Sequence, residues 1–359
     1  MTTDTPTPSP TLNDEATPKL STLDRLLPVW IGSAMVGGIL LGRLIPDLND
    51  TLDKVKVDTV SLPIAIGLLA MMYPVLAKVR YRGISAELGD RRTMGLSLVL
   101  NWVVGPALMF TLAWVFLGDL PELRTGLIIV GLARCIAMVL IWNDLACGNS
   151  ELGAVLVAVN SVFQIVMYTV LGWFYLDLLP GWLGLETQSL DVGMWPIAKS
   201  VLIFLGIPLV AGFRTRTILE AGKGTDWYEH SFLPRIGPIA LYGLLFTIVV
   251  LFSLQGDQIL DRPLDVARVA VPLLIYFTLM WFGSFGAGYR LGLPYDRNTS
   301  VAFTAAGNNF ELGIAVAIAV FGVTSGQALA GTIGPLIEVP VLVGLVYVAL
   351  WAKRRWYGG

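Results

Sequence analysis

The stretch Gly131-Leu132-Ala133-Arg134-Cys135-Ile136-Ala137-Met138-Val139-Leu140-Ile141-Trp142-Asn143 sits inside an apolar run long enough to cross a bilayer, yet it carries an arginine and a cysteine at its centre. An arginine at membrane depth costs at least ~2.5 kcal/mol on insertion scales, so by default it marks a pathway or a site. The neighbouring thiol is a soft, polarisable donor that can ionise to a thiolate. Residue types alone leave two readings. Either the pair forms a site, or Cys135 is structural and Arg134 is matched by a carboxylate elsewhere in the bundle.

Working outward, the chain of 359 residues is 55% hydrophobic and only 14% charged, with a mean hydropathy of +0.72. Soluble domains carry roughly 25% charged residues, so composition places the chain in a membrane. A net charge of −2 without a basic arm gives nothing to neutralise phosphates, which argues against nucleic acid. Two cysteines and the single His230 exclude a disulfide scaffold or a zinc site of several soft ligands, and no cofactor is expected. Residues 1–23 are polar and rich in Thr and Pro, lack the pattern of a signal peptide, and are expected to form a disordered cytoplasmic tail.

Apolar runs of roughly 20 residues fall near 26–46, 60–78, 94–117, 124–147, 153–178, 195–213, 235–255, 266–289, 299–322 and 328–352. With the first loop assigned outside, sixteen Lys and Arg fall on the side of both termini and six on the other, so both termini are expected in the cytoplasm. Ten spans divide into two halves of five, 24–180 and 194–354, and an odd number per half inverts the second. Inverted-repeat transporters place their sites where paired helices are broken at the midplane. The fourth span of the first half holds Arg134-Cys135. Its counterpart in the second half reads Gly307-Asn308-Asn309-Phe310-Glu311-Leu312-Gly313, a composition that suggests unwound backbone lining a cavity. The similar run Gly148-Asn149-Ser150-Glu151-Leu152-Gly153 falls between spans four and five and reads as a polar loop or coincidence.

Asn160 and Gln164 share one face of the fifth span. They line a site or bond across to a neighbouring helix. Glu338 lies between Pro335 and Pro340, which free backbone carbonyls and kink the tenth span. It is functional, or the partner of Arg134, or both. Cys147 stands twelve residues beyond Cys135, about 18 Å along a helix, too far to share a ligand with it.

The runs at 131–139 with Trp142-Asn143, at 307–312 and at 335–340 resemble helix motifs of the arsenical resistance-3 arsenite exporters, in the bile-acid/sodium symporter superfamily. The resemblance extends over about 26–352. It implies an all-α integral membrane fold of ten transmembrane helices in two inverted five-helix repeats. The fourth and ninth helices would be discontinuous and crossing, with helices 3–5 and 8–10 as a core and helices 1, 2, 6 and 7 as a panel. It also implies a secondary transporter, not an enzyme, in the plasma membrane, exporting trivalent arsenite (in some members antimonite) in exchange for protons. The family's essential cysteine would fall on Cys135 and its essential glutamates, the candidates for proton coupling, on Glu311 and Glu338. Arg134, Trp142, Asn160, Phe303 and Asn309 match motif positions linked to activity, and Asn308 joins them as a candidate substrate contact. One thiol with oxygen donors suits a carrier, which must bind trivalent arsenic and also release it. The alternative in the same superfamily is a sodium-coupled organic-anion symporter with Arg134 as counter-ion, which would not need Cys135. A membrane-embedded enzyme would want an activated nucleophile or an acidic metal cluster, and the spans supply neither.

Overall fold

The computed structural model describes residues 27–45, 56–57, 60–79, 90–136, 138–185 and 194–358. The expected tail, 1–23, lies outside these residues. The described chain is helical: α1 (Leu27–Leu44), α2 (Leu62–Ala77), α3 (Arg91–Leu117), α4 (Pro121–Leu132), α5 (Val139–Leu145), α6 (Ser150–Trp182), α7 (Met194–Lys223), α8 (Thr225–Gly256), α9 (Pro263–Arg290), α10 (Tyr295–Ala306), α11 (Phe310–Phe321) and α12 (Gly326–Trp356). Between α1 and α2, Lys56–Val57 and Val60–Ser61 form a two-residue antiparallel pair. Six helices, α3, α6, α7, α8, α9 and α12, are long and apolar enough to cross a membrane. Their exposed faces carry Val, Leu, Phe and Trp, as lipid contact requires. The chain is a multi-pass helical membrane protein.

Proline shapes the long helices in a regular way. Gly105, Leu179, Ile207 and Leu233 each donate their N–H to the carbonyl five residues back, closing a π turn. Each of these residues immediately precedes a proline: Pro106, Pro180, Pro208 and Pro234. A proline ring collides with the carbonyl four residues before it and donates no hydrogen bond. Widening the preceding turn relieves that collision without breaking the helix.

Two groups of helices emerge from the packing. In one, α8 lies along α1 and α2, and α2 packs on α7. Gly38 and Gly42, four apart on α1, let α8 approach so closely that a Cβ at Gly38 would stand 2.6 Å from the Val249 carbonyl oxygen. This is small-residue packing of the kind that joins helices in lipid. In the other group, α4 packs against α3 and α12, α9 against α3, α10 and α12, α11 against α12, and α6 against α10. The groups are joined chiefly by α7 against α6 and α11.

The polar run at 148–153 has a definite role. Asn149 caps α6 by accepting the Leu152 N–H at 2.9 Å, and Asn309 caps α11 by accepting the Leu312 N–H at 3.0 Å. The loop reading holds for Gly148 and Asn149, which are non-helical, but the likeness of the two runs is not coincidence. It is one helix-starting device used twice. Around the α5–α6 corner, Tyr295 donates to the Ala146 carbonyl at 2.7 Å and Ser300 to the Asn143 side-chain oxygen at 2.8 Å, which ties the corner to α10.

Candidate functional site at the crossing of two helix breaks

The apolar run from α4 to α5 is interrupted at Ala133–Ile136, and that from α10 to α11 at Gly307–Asn309. The two interruptions meet. Arg134 and Asn308 face each other as an antiparallel bridge. The Cys135 N–H donates to the Gly307 carbonyl at 3.2 Å, and the Asn309 N–H donates to the Ala133 carbonyl at 3.1 Å. Backbone groups freed from each helix are thus satisfied by the other break, as a lipid-surrounded bundle demands.

Side chains from the surrounding helices complete the joint. The Arg134 N–H goes to the Gln164 side-chain oxygen on α6 at 2.8 Å. The Arg134 guanidinium is fully buried, donating to the Tyr276 hydroxyl of α9 at 2.8 Å and to the Gly131 carbonyl. Among the described residues it forms no ion pair. The expected carboxylate partner from span nine or ten is therefore replaced by a phenol and a helix-end carbonyl. A helix C-terminus carries partial negative charge, so the cation is matched without burying a formal anion beside it. Tyr276 carried no sequence signal, because it is one tyrosine among eleven in an apolar run.

Glu338 instead serves the opposite break, accepting the Asn308 N–H at 3.3 Å, and is 2% exposed. Gly307 separates it from the thiol. A Cβ at 307 would lie 3.4 Å from both Cys135 Sγ and Glu338 Oε1, and 2.9 Å from Cys135 Cβ. A soft donor and a hard donor therefore flank one space that only glycine leaves open. Cys135 is 3% exposed and neither cysteine is in a disulfide. Around the same crossing, several polar atoms have no hydrogen-bond partner among the described residues: Arg134 Nε, Gln164 Nε2, Asn309 Nδ2 and both amide atoms of Asn308. Such a concentration of unmet donors and acceptors at buried positions is what a polar ligand site looks like in a membrane bundle.

The remaining candidates sit on the helices around the crossing, and the Phe303 carbonyl accepts the Gly307 N–H at 3.0 Å. Trp142, on α5, is buried and its indole N–H has no partner among the described residues. Asn160 donates to the Asn101 side chain on α3 at 3.4 Å, so the cross-helix reading of its amide describes its geometry. Phe303 is fully buried edge-on to Trp281, 5.9 Å between ring centroids. Cys147 closes the far end of α5. Glu311, in the first turn of α11, lines a cleft of about 340 Å³ between the two helix groups. One wall is Met71, Val75 and Leu241, from α2 and α8; the other is Met138, Ile141 and Asp144.

A model of the sodium bile acid symporter family matches residues 65–262. The chain is 61% identical over 333 residues to the arsenical-resistance protein Acr3 of Corynebacterium glutamicum, covering 93% of this chain and 90% of that one. It is 37% identical over 358 residues to an uncharacterized transporter, slr0944, of Synechocystis sp., covering 93% and 91% of the two chains. With Acr3 of Alkaliphilus metalliredigens the identity is 31% over 344 residues, covering 93% and 94%. Fold, crossing site and matched model together define a membrane transporter. The chain belongs to the sodium bile acid symporter family, and within it to the arsenical-resistance Acr3 proteins.

Proposed function

We propose that the protein exports trivalent arsenite, and antimonite as its heavier analogue, across the plasma membrane in exchange for protons. The observation that carries the reading is the single thiol of Cys135 set against Glu338 across the space above Gly307. Trivalent arsenic favours sulfur, and a mixed thiol and oxygen donor set holds it loosely enough to let go. Arg134, Asn308 and Asn309 supply hydrogen bonds to its hydroxyls, with Trp142, Asn160 and Phe303 shaping the pocket behind them. Glu311, on the cleft, carries the proton, and Glu338 is the rival for that role.

The ten spans form two inverted repeats, 24–180 and 194–354. The packing supports this, because helix pairs within and between the halves recur when the halves are exchanged. The pair α3–α4 corresponds to α9–α10, α1–α8 to α7–α2, and α6–α10 to α12–α4. The group of α1, α2, α7 and α8 is the panel and the other helices the core. Both termini lie in the cytoplasm, on the side with most Lys and Arg. The cleft, bordered by Lys78 and Asp144, then opens to the cytoplasm.

The test is radioarsenic uptake into everted membrane vesicles under an imposed proton gradient and then a sodium gradient. Proton-driven, thiol-dependent accumulation is expected. Sodium-driven uptake of an organic anion that survives loss of Cys135 would replace this reading with the symporter one.

A further inference from the structure

We propose that Lys78 and Asp144 form the charge pair that closes the cytoplasmic mouth of the cleft when the carrier turns outward. The inference rests on the transport reading and extends it to the moving parts. Among the residues lining the cleft the ionisable ones are Lys78, Asp144 and Glu311. Lys78 stands just beyond α2 on one wall, and Asp144 at the end of α5 on the other.

The local structure holds both in readiness. Arg216 donates to the Lys78 carbonyl at 3.0 Å, which anchors the backbone there. The side chain is exposed and overhangs α8, its Nζ 3.6 Å from where a Cβ on Gly237 would sit. Asp144 accepts the Ser150 hydroxyl at 2.7 Å through one carboxylate oxygen. Among the described residues neither Lys78 nor Asp144 forms an ion pair. Elsewhere the panel and core are already apposed. The α7 helix rests on α11, and α1 and α8 meet α11 and α12 with a void of about 10 Å³ between them.

Alternating access requires the open side to shut in its turn. The apolar parts of the two walls can then meet directly. A charge carried in from either wall would be stranded unless an opposite one met it, and among the described residues the two at the mouth, Lys78 and Asp144, are opposite in sign. A charge reversal on one wall sets like charges face to face, which opposes closure.

The experiment uses the full-length protein in everted vesicles, with Lys78→Asp, Asp144→Lys and the double exchange. Each single exchange should slow arsenite accumulation on the order of tenfold, and the double exchange should restore most of it. A pair with a merely structural role would not alter exposure of the cleft. Leu241→Cys in a Cys147→Ser background therefore reports closure through labelling by a charged maleimide, against the same protein without Leu241→Cys. Labelling should be faster in each single exchange and return to the parental rate in the double. Single exchanges that transport at the parental rate overturn the pair, as does a well-expressed double exchange without recovery. Parental vesicles that accumulate no arsenite overturn the transport reading instead.

Discussion

At the scale of single residues, two cysteines in one helical run have opposite meanings. Cys135 faces Glu338 across Gly307. Cys147 occupies a position with φ of 55°, left-handed backbone that a side chain disfavours. There its N–H and that of Gly148 bond back to the carbonyls of Asp144 and Asn143, ending α5. Cys135→Ser should abolish arsenite accumulation, since serine keeps the volume but replaces a soft donor with a hard one. Cys147→Gly should leave transport intact and raise the unfolding midpoint, by about 1 kcal/mol of relieved strain. Thermal unfolding in detergent and vesicle uptake check the two halves of this contrast. Sequence position already set the two apart, one mid-span and the other at the span's end. The strain at Cys147 was not foreseeable, because a cysteine gives no turn signal.

At the scale of elements, the two breaks differed in how plainly they were written. Gly307, Asn308 and Asn309 are residues that end and restart helices, so the second break could be read directly. The first has no such marker, since Leu132, Ala133, Arg134 and Cys135 are compatible with continuous helix. It opens because Gln164 and Gly307 claim the N–H groups of Arg134 and Cys135, and that competition exists only after folding. Its place was suggested by the buried charge and by family resemblance, not by local propensity. Each π turn precedes a proline, but Pro74, Pro238, Pro272, Pro335 and Pro340 sit within helices without one, so proline alone did not mark them. The capping device yields a direct prediction. Asn149→Ala removes the acceptor for the Leu152 N–H and the partner of Asp296, whose carboxylate accepts from the Asn149 amide at 2.9 Å. A loss of about 1 kcal/mol or somewhat more is expected, measured as a lower midpoint without loss of the proton dependence of uptake.

At the scale of the whole molecule, pH dependence separates surface chemistry from coupling. A hydrogen bond from Arg268 holds the Asp119 carboxyl down to about 2. Asp90 is also lowered, chiefly by a hydrogen bond from Thr93. Groups with depressed folded values contribute stability that is present above about 3.8 and lost only as pH falls through the folded value. Neither changes charge between pH 5 and 8, so these loop carboxylates leave transport flat there. A proton-coupled carrier should nevertheless show a pH-dependent rate in that window. Glu311→Gln should flatten the profile and lose gradient-driven accumulation, while retaining arsenite exchange at equal concentrations. His230→Gln, removing the chain's one histidine, should keep the parental profile. Proton-driven accumulation at parental rates in Glu311→Gln would eliminate Glu311 as the coupling group.

The bridge between the two breaks is made of main-chain atoms, with Cys135 and Asn309 donating and Gly307 and Ala133 accepting. Those atoms are common to every amino acid, and only proline lacks the donor. Exchanges of Arg134, Cys135 or Asn308 that keep Gln164, Glu338 and Gly307 can therefore alter the lining of the joint without unmaking the joint itself. A scaffold jointed in this way separates what is carried from how it is carried.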